Sequence, residues 1–141
     1  FADRGIELTR SFKALKVWMQ MRASGTDTIG AHIERNVQQA RYLTSLVNAE
    51  AELELMAPVP LNIVNFRFAP AGAELDDTAL DALNRRLLAE IQERGIAAPS
   101  GTTLRGRFAI RVAITNHRSR NDDFDALVTA TLELGRSLRT I

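Results

Sequence analysis

The feature that most constrains the fold is a change of hydrophobic period near residue 51. Before it, apolar side chains recur every three or four residues; after it, they alternate. Upstream, Phe12, Leu15, Met19 and Arg22, with Trp18 beside them, fall at helical spacing, Thr9 or Ser11 is available as a cap, and Gly25 can stop the helix in a left-handed turn. This predicts a helix over about residues 10–24. A second stripe, Ile29, Ile33, Val37, Ala40, Leu43 and Val47, capped by Thr26 or Thr28, predicts an amphipathic helix of about five turns, a length suited to connecting two domains.

Downstream, Glu52-Leu53-Glu54-Leu55 alternates as a half-buried strand does. After the stiff Pro58-Val59-Pro60 turn, residues 62–68 place Val64, Phe66 and Phe68 on one face, and the two strands are expected to pair. Asp76 or Asp77 caps a helix with Leu80, Leu83, Leu87, Leu88 and Ile91 in its stripe, and Gly95 follows it. Residues 102–104 and 107–115 read as strands separated by Gly106. Asn121 then caps a last helix whose Phe124, Leu127, Val128, Thr131, Leu134 and Leu138 face the core. The order strand, strand, helix, strand, strand, helix predicts a small α+β domain, an antiparallel sheet of about four strands with helices on one side.

Composition narrows the function. With 141 residues, 45% of them hydrophobic, the chain is long enough to bury a core. A net charge of +1 leaves no electrostatic footprint for nucleic acid or an anionic membrane surface. Without cysteine, and with only the distant His32 and His117, a disulfide framework or a zinc site is not indicated. No apolar run reaches transmembrane length and no signal peptide is recognisable, so the expected compartment is cytoplasmic. Asp122, Asp123 and Asp125 resemble a metal cluster but fall in a first helical turn, where the helix dipole favours carboxylates, so no metal site is assigned. His32 reads as a packing or surface residue of the connecting helix and His117 as a surface residue of a turn.

The strand from Phe108 to Ile114 carries the chemistry of most interest. Phe108, Ile110, Val112 and Ile114 share one face, while Arg111 shares the other with Ala109 and Ala113 alone. Two methyl groups leave room beside the guanidinium for a planar anion, which it can hold through two parallel charge-assisted hydrogen bonds. The plain alternative is an arginine on the solvent face of an edge strand.

Several segments together point to a family. Arg10-Ser11-Phe12-Lys13-Ala14-Leu15-Lys16-Val17-Trp18 resembles the R-x-F-x-A-L-K-x-W signature of the group II pyridoxal-phosphate-dependent amino-acid decarboxylases, which include the aromatic-amino-acid, histidine and glutamate decarboxylases. Ala31 to Val37 resembles the family's A-x-I-x-x-x-V connecting helix, and Pro60 to Arg67 its P-x-L-x-x-V-x-F-R strand. Residues 107–125 resemble its strand, polar turn and acidic helix start. Each match is weak by itself; their joint order covers nearly the whole chain.

The resemblance implies the C-terminal portion of an α/β, fold-type I pyridoxal-phosphate enzyme. Residues 1–28 would end the large cofactor-binding domain, 29–50 would form the connecting helix, and 51–141 the small domain. It implies loss of the α-carboxylate of an L-amino acid to give an amine, with pyridoxal 5'-phosphate as cofactor. The implied partners are the remainder of the polypeptide and a second identical subunit. Arg111 would bind the substrate carboxylate, and the backbone amide of Thr9, where the family has a small residue, would approach the cofactor phosphate at a helix N-terminus. An ordinary helix cap is the other reading of Thr9.

No catalytic residue is assigned within this chain. Its only lysines, Lys13 and Lys16, sit in the first helix outside the family's His-Lys context, so the lysine that binds the cofactor is expected upstream. A loop with a catalytic tyrosine is expected shortly before Phe1, and its cleavage or disorder would account for where the chain starts. Two other readings stay open. One is another enzyme of the same fold, such as an aminotransferase or an aldehyde-forming relative. The other is an autonomous small-anion-binding or regulatory module, which would bury the first helix on its own sheet.

Overall fold

The computed structural model describes residues 11–72 and 75–139, arranged as two compact units that meet in sequence between Ile33 and Glu34. The first contains helix α1 (Lys13–Ser24) and the opening turns of α2 (Thr26–Ala49). The backbone of Gly25 separates the two helices at φ 79°, ψ 154°, an extended mirror-image conformation and not the left-handed helical one expected. That region belongs to glycine almost alone. Gly25 donates its N–H to the Met21 carbonyl and accepts from the N–H of Ile29, so one residue ends one helix and starts the next. This removes the need for a threonine cap, and Thr26 and Thr28 lie within α2. Phe12 stands at the cap position of α1 without a side-chain hydrogen bond. Every residue of α1 except Ser24 is exposed, with Phe12 at 74% and Trp18 at 60%.

The second unit has a core of its own. Strands β1 (Leu53–Leu55), β2 (Ile63–Phe68), β3 (Ser100–Leu104) and β4 (Arg107–Ala113) form an antiparallel sheet in the order β1-β2-β4-β3. β1 pairs with β2 as the alternation predicted, and β3 with β4 through a tight Arg105-Gly106 turn in which both residues have positive φ. Such a turn matches the right-handed twist of the strands it joins.

Val64, Phe66, Phe68 and Ile110 are fully buried on the inner face, together with Leu87 and Ile91 of α3 (Asp77–Glu93). Phe124, Leu127, Val128 and Leu134 of α4 (Asn121–Arg139) join the same core, as do Ala40, Leu43 and Val47 from the later turns of α2. Each such Val, Leu, Ile or Phe side chain removed from water contributes roughly 1.5–3 kcal/mol. Helix α4 approaches the sheet through Gly135, where an added Cβ would lie 2.7 Å from the ring of Phe68.

Helix α3 is wedged where two central strands part. The β2–β4 ladder ends at Phe66 and Ile110, and beyond it side chains of α3 replace the missing strand partners. Buried Asn84 accepts from the Phe68 N–H and donates to the Phe68 carbonyl, each at 2.8 Å, while Asp81 accepts from the Phe108 N–H at 2.7 Å. Capping by Asp76 is as the sequence predicts, its carboxylate accepting from the N–H of Ala79. At α4 the expected cap, Asn121, is instead the first helical residue; Asp123 reaches back to accept from the N–H of Arg120. This is the returning arm of a capping box, available because the acid sits three residues inside the cap.

Candidate functional site

Strand β4 lies in the interior of the sheet, not at its edge. This corrects the plain alternative for Arg111, because a central strand presents its outer residues between two neighbours. Arg111 is half-buried and stands in register between Asn65 of β2 and Ser100 of β3. Along its own strand it is flanked by buried Ala109 and exposed Ala113.

The rest of this outer face is occupied by ion pairs. Arg67, with a side chain only 4% exposed, donates from Nε to Glu54 at 2.8 Å and from Nη1 to Asp77 at 3.0 Å. Arg107 donates to the same Glu54 carboxylate at 2.7 Å, and its Nε lies 3.3 Å from Asp77. Burial pushes the Glu54 carboxyl up, but hydrogen bonds from Arg67 and Arg107 outweigh it, and the group is held below its ordinary range. The hydrogen bond to Glu54 likewise raises Arg107. Three arginines therefore share this region with two acids, and both acids are taken by Arg67 and Arg107. Among the described residues the guanidinium of Arg111 has neither a hydrogen bond nor an ion pair.

Sequence reading finds Arg111 but misses this cluster. The alternation that sends Val64, Phe66 and Phe68 inward also sends Asn65 and Arg67 outward, so their face is legible. Their partners are not, because they depend on strand register and on where α3 begins.

The other candidates are placed as follows. Thr9 lies outside the described residues. His32 and His117 are exposed, on α2 and in the turn after β4. Asp123 serves the start of α4, and Asp125 accepts a hydrogen bond from Tyr42 at 2.7 Å, which raises the phenol above its ordinary range. Among the described residues, no three His, Cys, Asp or Glu side chains are grouped so that they could hold a metal ion. No helix among them is long and apolar enough to cross a membrane.

Pyridoxal phosphate is held by a lysine amine and by donors to its phosphate. The unit that carries Arg111 contains no lysine, and both acids near the arginine are neutralised within the cluster. Its residues thus do not fit the cofactor by themselves.

Comparison with known proteins gives the context. The Pyridoxal-dependent decarboxylase conserved domain matches residues 1–69. An aromatic-L-amino-acid decarboxylase of Bacillus atrophaeus is 32% identical over 123 residues, 87% of this chain and 25% of its own length. Tyrosine decarboxylase 3 of Petroselinum crispum is 33% identical over 116 residues, 81% of this chain and 22% of its own length. The crystal structure of Oryza sativa TDC with PLP and tryptamine superposes with a TM-score of 0.82 at 26% identity, over 98% of this chain and 29% of that one. The chain thus spans about a quarter of the length of the curated relatives it matches. With sequence and fold in agreement, the chain belongs to the pyridoxal-dependent decarboxylases, an enzyme family of fold-type I that takes pyridoxal phosphate as its cofactor.

Proposed function

We propose that this chain is the C-terminal part of an L-amino-acid decarboxylase that releases the α-carboxylate as carbon dioxide and leaves an amine. In this reading residues 1–28 close the large domain, 29–50 connect, and 51–141 form the small domain. Arg111 binds the carboxylate of the substrate. The observation that carries this role is the charge balance of the outer sheet face, where Glu54 and Asp77 are engaged by Arg67 and Arg107 and Arg111 is left for an external anion.

Tight binding of the group that must leave would stabilise the ground state and slow the reaction. The useful contribution of Arg111 is therefore orientation, fixing which bond of the α-carbon is presented for cleavage. The bound cofactor supplies the electron sink for that bond. The cofactor's lysine belongs to the upstream part of the polypeptide, so the chain alone is inactive, and the backbone amide of Thr9 approaches the phosphate. A cytoplasmic homodimer is the assembly this reading entails.

The rival, an autonomous anion-binding module, would use Arg111 equally well. Bearing on it is α1, a helix with no buried residue that carries Phe12, Leu15 and Trp18. The test is the full-length protein with Arg111→Lys and Arg111→Ala, assayed for carbon dioxide, amine and aldehyde from a panel of L-amino acids. Loss of the guanidinium should lower kcat/KM by roughly 10- to 100-fold, with a fall in kcat as well as a rise in KM. An unchanged kcat/KM in both variants would remove Arg111 from the site. Aldehyde in place of amine would remove the decarboxylase reading in favour of an aldehyde-forming relative.

A further inference from the structure

The residue beside Arg111 has a polar group that the fold leaves unused. The N–H of Ile114 bonds to the carbonyl of Asn62, which makes Asn62 and Ile114 a hydrogen-bonded pair of the β2–β4 ladder. Pairs alternate along an antiparallel ladder, so Asn65 and Arg111 form a non-hydrogen-bonded pair, whose Cα atoms lie about 4.5 Å apart with the side chains close. The Asn65 amide oxygen is buried without a hydrogen-bond partner. Among the described residues its amide nitrogen has no hydrogen bond, and it is not one of the buried unpartnered atoms, so the NH2 is the end left on the accessible side.

Among the described residues, the polar groups nearest by register are otherwise engaged. Glu54, the nearest acid by register, faces Arg67 in the adjacent row and is bound by two arginines. Ser100, on the other side of Arg111, turns its hydroxyl toward the Arg111 carbonyl at 3.4 Å. Among the described residues the corner thus presents donors from two adjacent side chains, with the nearest acid by register already engaged. Burying one end of an amide without a partner is costly, and a fold that tolerates it gains from what the other end does.

We propose that Asn65 is a second substrate-binding residue, whose NH2 donates to a carboxylate lone pair that the two Arg111 hydrogen bonds leave open. The two side chains would together read a carboxylate in one plane, the amide fixing the rotation that a single guanidinium allows. This rests on the decarboxylase reading above and adds to it a determinant on β2.

The test uses the full-length protein with its cofactor and three variants: Asn65→Asp, which keeps the shape but turns the donor into an anion, Asn65→Ala, and Asn65→Ser, which restores a shorter donor. The readouts are KM for the amino-acid substrate, kcat, and inhibition by the product amine, which lacks the carboxylate. Asn65→Asp should raise KM by about tenfold or more, the worth of a hydrogen bond to a charged group, and Asn65→Ala by less. Asn65→Ser should recover part of the loss, and the amine should inhibit all four proteins within twofold of one another. An unchanged KM in Asn65→Asp and Asn65→Ala, or an amine inhibition constant that moves with KM, would overturn the proposal while the decarboxylase reading stands. A wild-type protein that decarboxylates no amino acid overturns both.

Discussion

Helix α4 buries eight of its 19 residues, whereas α1 buries none of its 12. Both carry large apolar side chains, so apolar content does not separate them; the arrangement does. In α4 the apolar residues form one stripe, and that stripe meets Phe68 and the rest of the inner sheet face. In α1, Leu15, Trp18 and Met19 lie on one side and Val17 and Met21 on another, all exposed. A helix that is apolar on more than one side suits burial between several neighbours. The unit from Glu34 onward thus carries a core of its own, whereas the described residues of α1 bury none of their apolar side chains.

The sharpest way to break this contrast is to remove the aromatic ring that α4 packs against. Phe68 is fully buried, and Phe68→Ala should destabilise the isolated chain by about 3–5 kcal/mol in urea unfolding followed by far-ultraviolet circular dichroism. Loss of less than about 1 kcal/mol would show that the sheet and α4 do not share one core.

A smaller effect is expected on the outer face. Because the Glu54 carboxyl is held below its ordinary range by Arg67 and Arg107, it contributes stability that is present above its unfolded pKa and lost as pH falls through the folded value. Glu54→Gln should therefore be less stable than the parent at neutral pH, by less than about 1 kcal/mol given the 37% exposure of the carboxylate. The difference should close below about pH 4. A gap that persists into acid would mean that shape, and not charge, makes the contribution.

Much of this was legible in the chain. The eight elements and the inner face follow from the two periods, since Val64, Phe66 and Phe68 can share a face only in a strand and Leu80, Leu83 and Leu87 only in a helix. The face that Arg111 shares with Ala109 and Ala113 was legible from strand alternation. The interior place of β4 was not, since strand order depends on how β2 crosses to β4, and no local pattern encodes it. Nor was the role of Asn84, whose side chain repairs a ladder between strands that diverge. The boundary between compact units, inside α2, is equally invisible to periodicity, because the helix runs unbroken from Thr26 to Ala49.

The smallest expected effect is the most direct test of what α1 is for. Trp18 is the single tryptophan and is 60% exposed, so Trp18→Ala should change the stability of the isolated chain by no more than about 0.5 kcal/mol. The same ring reports its surroundings through fluorescence. In the isolated chain its emission should be that of a solvated indole and should be readily quenched by iodide. Introduced into the full-length protein, the substitution should cost several-fold more than in the fragment, because a ring buried against neighbours contributes what an exposed one does not. Emission from Trp18 in the longer protein is read by difference against the Trp18→Ala variant, and a shift to shorter wavelength would show the ring covered. Equal costs in both chains, with the ring solvated in both, would make α1 a free surface helix and return the autonomous module to first place.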